Sequence, residues 1–182
     1  MTIQKILEAI AALPDAERLD LFSRLREVYG AHTAPALRPA GRPRQTADTW
    51  SGPFDYLVVF DGGSRGNPGP AYGSYIIFDA LGSGQIVRRE FQRELTNNEA
   101  EYHTLLAALG ALTAQLGRAA AQTSIKILSD SALVVSQVSG HWEAKEPRLR
   151  ELRDQVRAEL KRFRQYRLAQ QPREDIVQIL GH

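Results

Sequence analysis

Cysteine is absent from this 182-residue chain, and its four histidines are scattered. Disulfides and thiolate chemistry are therefore excluded for it, and a zinc centre is not expected. No apolar run approaches the roughly 18 residues of a membrane span. The opening Met1-Thr2-Ile3-Gln4-Lys5-Ile6-Leu7-Glu8 lacks the pattern of a secretory leader, so the cytoplasm is the expected compartment. Charge of one sign is scarce too. Lys and Arg number 23 against 21 Asp and Glu, and a formal +2 does not by itself argue for nucleic acid. What is present is 43% hydrophobic residues, ordinary for a globular protein and enough for one substantial core plus a small appendage.

The chain is organised around Asp61-Gly62-Gly63-Ser64-Arg65-Gly66-Asn67-Pro68-Gly69-Pro70. Apolar runs flank it at 56–60 and 72–78. Both are too short for a helix and rich in branched and aromatic residues, so they read as strands. Glycine tolerates positive φ and proline fixes turn geometry, so the stretch predicts a hairpin whose turn backbone can approach a ligand. A dinucleotide loop is excluded, because that motif opens a helix and here a strand follows. No Gly-Lys-Ser/Thr phosphate loop occurs either.

Taken in order, Ile3, Ile6, Leu7, Ile10 and Leu13 have helical spacing, Pro14 interrupts, and Ala16, Leu19, Phe22, Leu25 and Val28 resume it up to Gly30. Residues 1–30 are expected to form a helical hairpin that must pair or dock, by self-association or substrate contact. Residues 31–54, with four prolines and Arg38, Arg42 and Arg44 between them, read as a semi-extended linker. The main domain is expected at 55–182. Its strands are predicted at 55–60, 71–79, 85–94, 123–128 and 166–170, with a hairpin turn at 81–84. The charged third strand suits a sheet edge. Thr96-Asn97-Asn98-Glu99 has capping-box spacing and opens a helix to about Leu116, closed by Gly117. Further helices are predicted at 131–138 and 147–164, and a last helical turn at 175–180. Between Glu146 and Arg167 eight Arg or Lys face four Asp or Glu, so this helix carries most of the positive bias. Hairpins followed by alternating helices and strands describe an α/β domain with a mixed sheet.

Three acids stand where chemistry could use them. Asp61 is expected at the end of strand one, Glu101 near the start of the long helix, and Asp130 at the end of strand four. Strand ends at one sheet edge are natural ligand sites. Clustered carboxylates repel unless a cation offsets them, and hard oxygen donors suit Mg2+ or Mn2+. Read alone, Asp61 and Asp130 also suit turns or caps, and Glu101 a solvated helix acid. His103 is expected on the surface, Tyr102 in the core, and Trp142 either against nucleic acid or against the next helix.

Asp-Gly-Gly-Ser-Arg-Gly-Asn-Pro-Gly-Pro-Ala at 61–71, Thr-Asn-Asn-Glu-Ala-Glu-Tyr at 96–102 and Ser-Asp-Ser at 129–131 together resemble the type I ribonuclease H family, in its short form without a basic handle insertion. The resemblance covers roughly residues 55–174. It implies a ribonuclease H-like mixed five-stranded sheet with flanking helices. It also implies hydrolysis of the RNA strand of RNA–DNA hybrids with two divalent ions, leaving 5'-phosphate and 3'-hydroxyl ends. Asp61, Glu101 and Asp130 would be the catalytic, metal-binding carboxylates. Asp61 would bridge both ions, Glu101 would hold one and face the ribose, and Asp130 would ligate the ion near the attacking water. Gly62, Gly63, Asn67, Asn97 and Asn98 would face the RNA minor groove, where 2'-hydroxyls distinguish RNA from DNA.

The C-terminus departs from the family pattern. An Arg-Glu pair is present at Arg173-Glu174, but the following Asn position is Ile176 and the fourth carboxylate position falls on Leu180. Leucine cannot bind metal, and Glu174, Asp175 and His182 do not match the spacing. Three acids would still hold at least one ion. The departure supports an alternative, a catalytically impaired module that binds hybrid or double-stranded RNA. A third reading makes the N-terminal helices the core of an interaction protein.

Overall fold

The computed structural model describes Glu17 and residues 54–181. The expected helical hairpin, apart from the helical and exposed Glu17, lies outside the described residues, as do the linker up to residue 53 and His182. Strands β1 (Tyr56–Ser64), β2 (Gly69–Phe78) and β3 (Ile86–Leu95) run first, followed by helix α1 (Asn97–Leu116) and a 3-10 segment (Gly117–Gln122). Then come β4 (Ser124–Ser129), α2 (Ala132–Ser139), α3 (Pro147–Leu160), β5 (Gln165–Gln170) and α4 (Arg173–Leu180). The sheet order is β3-β2-β1-β4-β5. β1, β2 and β3 are antiparallel neighbours, whereas β4 runs parallel to both β1 and β5. The mixed five-stranded sheet and the edge position of β3 are as expected.

Side chains alternate across the sheet, so each strand feeds two cores. Val58, Phe60, Tyr75, Ile125 and Ile127 pack with Leu105, Leu109 and Leu112 of α1 and with Leu152, Val156 and Leu160 of α3. Val59, Ile76 and Leu128 face the other way, onto Ile176 and Leu180 of α4. The ends of the helices are set locally. Thr96 Oγ1 accepts from Glu99 N at 3.2 Å while Glu99 Oε2 accepts from Thr96 N at 2.8 Å, closing the capping box. Pro147 starts α3, and α2 ends at the left-handed Gly140.

Three boundaries differ from the sequence reading. The hairpin is longer than expected: β1 continues through Gly62, Gly63 and Ser64, which pair with Gly73, Tyr72 and Ala71. Asp61 therefore lies inside β1, opposite Ser74, rather than at its end. Gly66 takes up positive φ in the turn as expected, at 110°, whereas Gly62 and Gly63 lie in the strand and serve close packing. A Cβ on Gly62 would sit 2.7 Å from the backbone of Ala100, so this glycine lets α1 lie against the strand. Second, α3 stops at Leu160, not 164, and Phe163 folds back into the core. Third, the last turn at 175–180 is a full helix, α4, begun by Pro172 and acidic in its first turn at Glu174 and Asp175.

Candidate active site

Although Asp61 is inside β1, it is still at an edge. The last parallel pair between β1 and β4 is Val59 with Leu128, and Asp61 is two residues beyond it. β4 ends at Ser129, and Asp130 follows at once. Asp61 and Asp130 thus emerge where the parallel half of the sheet runs out. Glu101, in the first turns of α1, reaches the same place, because Gly62 brings that helix so close.

Each carboxylate is held differently. Asp61 is buried in β1. Ser131 Oγ donates to Glu101 Oε2 at 2.5 Å and also accepts from Val134 N at 3.2 Å, so one hydroxyl caps α2 and orients Glu101. Arg173 Nη1 donates to Asp130 Oδ2 at 3.1 Å. The other oxygen, Asp130 Oδ1, is buried and has no hydrogen-bond partner among the described residues. Burial pushes the Glu101 carboxyl up to about 7. The Ser131 hydrogen bond pulls it down, the Asp130 and Asp61 charges push it further up, and Arg173 lowers it. The three acids therefore share one electrostatic environment. They do not form a closed cage, since among the described residues no group of three His, Asp or Glu side chains stands ready to enclose an ion. The donors still suit a hard cation: among the described residues the buried Asp130 Oδ1 has no hydrogen-bond partner, and burial, with the Asp130 and Asp61 charges, raises the proton affinity of Glu101.

Some of the residues expected to contact substrate are hydrogen-bonded to one another. Asn67 Oδ1 accepts from Asn97 N at 3.2 Å, and Asn97 Oδ1 accepts from Ser64 N at 2.8 Å and Ser64 Oγ at 3.0 Å. The β1–β2 turn is thereby tied to the start of α1. Asn67 and Asn97 are exposed, Asn98 and Gly62 are half-buried, and Gly63 is buried beside Tyr72. Leu180, where the resemblance expects a fourth carboxylate, is fully buried in the core between α4 and the sheet.

Several residues fall outside the site. Tyr102 is in the core as expected, its hydroxyl donating to Gln137 Oε1 at 2.9 Å. His103 is half-buried rather than exposed, against Phe91 and Arg93 of β3. Trp142 is exposed. Part of the arginine bias on α3 is structural: Arg157 donates to Val138 O at 2.9 Å and Gln137 O at 3.0 Å, closing the end of α2. Ser131 and Arg173 were missed as partners of the acids. Serine directly after Asp130, at a helix start, was the available signal for the first. The Arg173-Glu174 pair is plain in the sequence, but nothing local gives Arg173 its contact with Asp130.

The family profile described as reverse transcriptase-like matches residues 59–178. A ribonuclease HI of Halobacterium salinarum is 39% identical over 118 residues, which cover 64% of this chain and 56% of that protein. A bifunctional protein of Mycobacterium tuberculosis is 40% identical over 118 residues, covering 64% of this chain and 31% of its own. The chain thus spans between just under a third and just over half of these curated relatives. Among solved structures, the N-terminal ribonuclease H domain of a Mycobacterium tuberculosis protein superposes with a TM-score of 0.61 at 35% identity, covering 69% of this chain and 88% of that one. A ribonuclease H1 named LC11, in complex with an RNA/DNA hybrid, superposes with a TM-score of 0.62 at 30% identity, covering 68% and 89%. Sheet order, the placing of the three motifs and these likenesses agree: the chain belongs to the reverse transcriptase-like family of ribonuclease HI-type proteins.

Proposed function

We propose that this chain hydrolyses the RNA strand of RNA–DNA hybrids, leaving 5'-phosphate and 3'-hydroxyl ends. The observation that carries the reading is the meeting of Asp61, Glu101 and Asp130 at one sheet edge, with Asp130 Oδ1 buried and unpartnered among the described residues. These three carboxylates would hold Mg2+, or Mn2+ in its place, through hard oxygen donors. When bound, such ions prepare water for attack and neutralise charge on the departing oxygen.

The chain's own residues have definable tasks. Ser131 fixes Glu101 Oε2, and near neutral pH that carboxyl is shared between its protonated and ionised forms. Arg173 neutralises one oxygen of Asp130 and leaves the other for a ligand. Asn67 and Asn97 brace the turn beside the acids and, with Asn98 and the backbone at Gly62 and Gly63, would face the minor groove of the hybrid. A cytoplasmic location fits this reading, and no helix among the described residues is long and apolar enough to cross a membrane.

One observation favours a second reading, a module that binds hybrid with impaired catalysis. Leu180 puts a core side chain where the family pattern has a carboxylate, so ions would share fewer ligands. A single experiment separates the two. The full chain is incubated with end-labelled RNA–DNA hybrid, duplex DNA and duplex RNA, with and without Mg2+. Mg2+-dependent cuts confined to the RNA of the hybrid are expected. Binding of hybrid without cleavage would move the assignment to the second reading.

A further inference from the structure

Tyr72 is not used by the site as described. It is large, aromatic and 40% exposed. Register fixes its place: Tyr72 pairs with Gly63, and Ser74, next along the same face, pairs with Asp61. Residues two apart on a strand share a face and lie roughly 7 Å from each other. Tyr72 therefore stands beside Asp61, on the side of the sheet that carries α4. Glycine at 63 makes this possible, because a Cβ there would come within 2.8 Å of the Tyr72 hydroxyl.

A cation accompanies the ring. The Arg65 guanidinium lies 5.7 Å from its centroid. Among the described residues the Arg65 side chain is otherwise held only by Glu90, at 3.7 Å, with the two side chains 71% and 70% exposed. A contact so open to water contributes little, and the guanidinium can turn to a phosphate at small cost. The neighbouring ladder is broken as well. Pro70 faces Glu94 but Ala71 faces Phe91, so Gln92 and Arg93 have no partner in register. The bulge opens a cleft of about 330 Å³ lined by Tyr72, Arg65, Phe91 and Arg93 among others. That volume suits one small ligand or monomer unit.

We infer that Tyr72 and Arg65 form a subsite for one unpaired nucleotide, its base stacked on the ring and its phosphate on the guanidinium. The reason is geometric. Bases inside a duplex have both faces covered by neighbours, and only an unstacked base can lie on a protein ring. The inference rests on the proposed function, which brings a nucleic acid to Asp61. It adds that single-stranded chain leaving the hybrid on this side is gripped by the protein. Hybrids carrying such a tail are then preferred to blunt ones.

The test is binding without metal, so that it does not depend on cleavage. Fluorescence anisotropy in EDTA compares the full chain on two labelled hybrids of identical duplex, one blunt and one with a short ribonucleotide tail at each end. The wild type is expected to bind the tailed hybrid roughly 5- to 150-fold more tightly, the range that one base–aromatic stack supplies. Tyr72→Ala should lose this advantage while Tyr72→Phe keeps it, and blunt binding should be the same for all three. Arg65→Ala should weaken the tail advantage and reduce its salt dependence by about one ion. Equal binding of both hybrids by the wild type, or a tail advantage that survives Tyr72→Ala, would overturn the subsite alone. Failure to bind either hybrid would overturn the proposed function and the subsite with it.

Discussion

Among the described residues, the two faces of the sheet are covered very unequally. On one, α1, α2 and α3 bury a core reaching from Val58 in β1 to Leu168 in β5. On the other, an eight-residue helix supplies Ile176 and Leu180 to a patch made by Val59, Ile76 and Leu128. Asp61 belongs, by alternation, to the thinly covered face. The thick face can therefore fix the backbone while the thin one leaves room for a ligand beside the acids. A site of this kind needs both: rigid support beneath and incomplete cover above.

Several variants would break or sharpen that contrast. The largest effect is expected from Asp61→Asn, which should reduce Mg2+-dependent cleavage of labelled hybrid to background while thermal unfolding stays close to wild type; unchanged cleavage would sink the site assignment. Next comes the thick core. Leu109→Ala, fully buried in α1, should cost about 3–5 kcal/mol in urea unfolding. The thin core should cost less, with Leu180→Ala at about 2–3 kcal/mol, because partial exposure around it allows relaxation. Leu180→Asp is the sharper test. A residue that has become core should lose stability and bring no tighter Mg2+ binding by calorimetry, whereas a gain in affinity would show position 180 still serves the acids.

Titration of Glu101 gives a smaller, signed effect. Its carboxyl is raised from 4.5 to about 7 in the folded chain, chiefly by burial. Between those values the unfolded chain releases a proton that the folded chain retains. Metal-free stability should be full below about 4.5 and fall by roughly 2–3 kcal/mol as pH rises to about 7. Urea unfolding across this interval should show the fall, and Glu101→Gln should flatten it. Ser131→Ala should have the least effect on stability, about 1 kcal/mol from the lost cap. It should also shift the pH dependence of cleavage upward, since the hydrogen bond lowering Glu101 is gone.

Much of this was legible in the sequence because it depends on neighbours in the chain. The capping box at Thr96 and Glu99, the charged edge strand and the order of strands and helices follow from local pattern. The glycines of the central stretch were read for turn-making, since that is what glycine does alone. Gly66 does make the turn, but Gly62 in that stretch and Gly73 in β2 admit α1 and Thr104 from elsewhere in the chain, and no local signal announces such an approach. The site was legible by residue type and by strand boundary. Its partners were not: Ser131 meets Glu101 across 30 positions and Arg173 meets Asp130 across 43, contacts that exist only once the sheet is assembled. Leu180 was legible as a departure from the family pattern, but its place in a second core came from the helix that the sequence showed only as a final turn.

Arg88 reaches from the edge strand β3 to the far end of α4. Its Nη2 donates to the carbonyl oxygens of Leu180 and Gly181, both at 3.1 Å, where a cation also suits the helix's negative pole. An outermost strand and a short helix on the thinly covered face are ordinarily among the first parts of a domain to open, each on its own. Clasped together, they are expected to open as one unit. Amide hydrogens of β3 and α4 should then exchange at matching rates, and cutting the clasp with Arg88→Ala should let the helix exchange ahead of the strand.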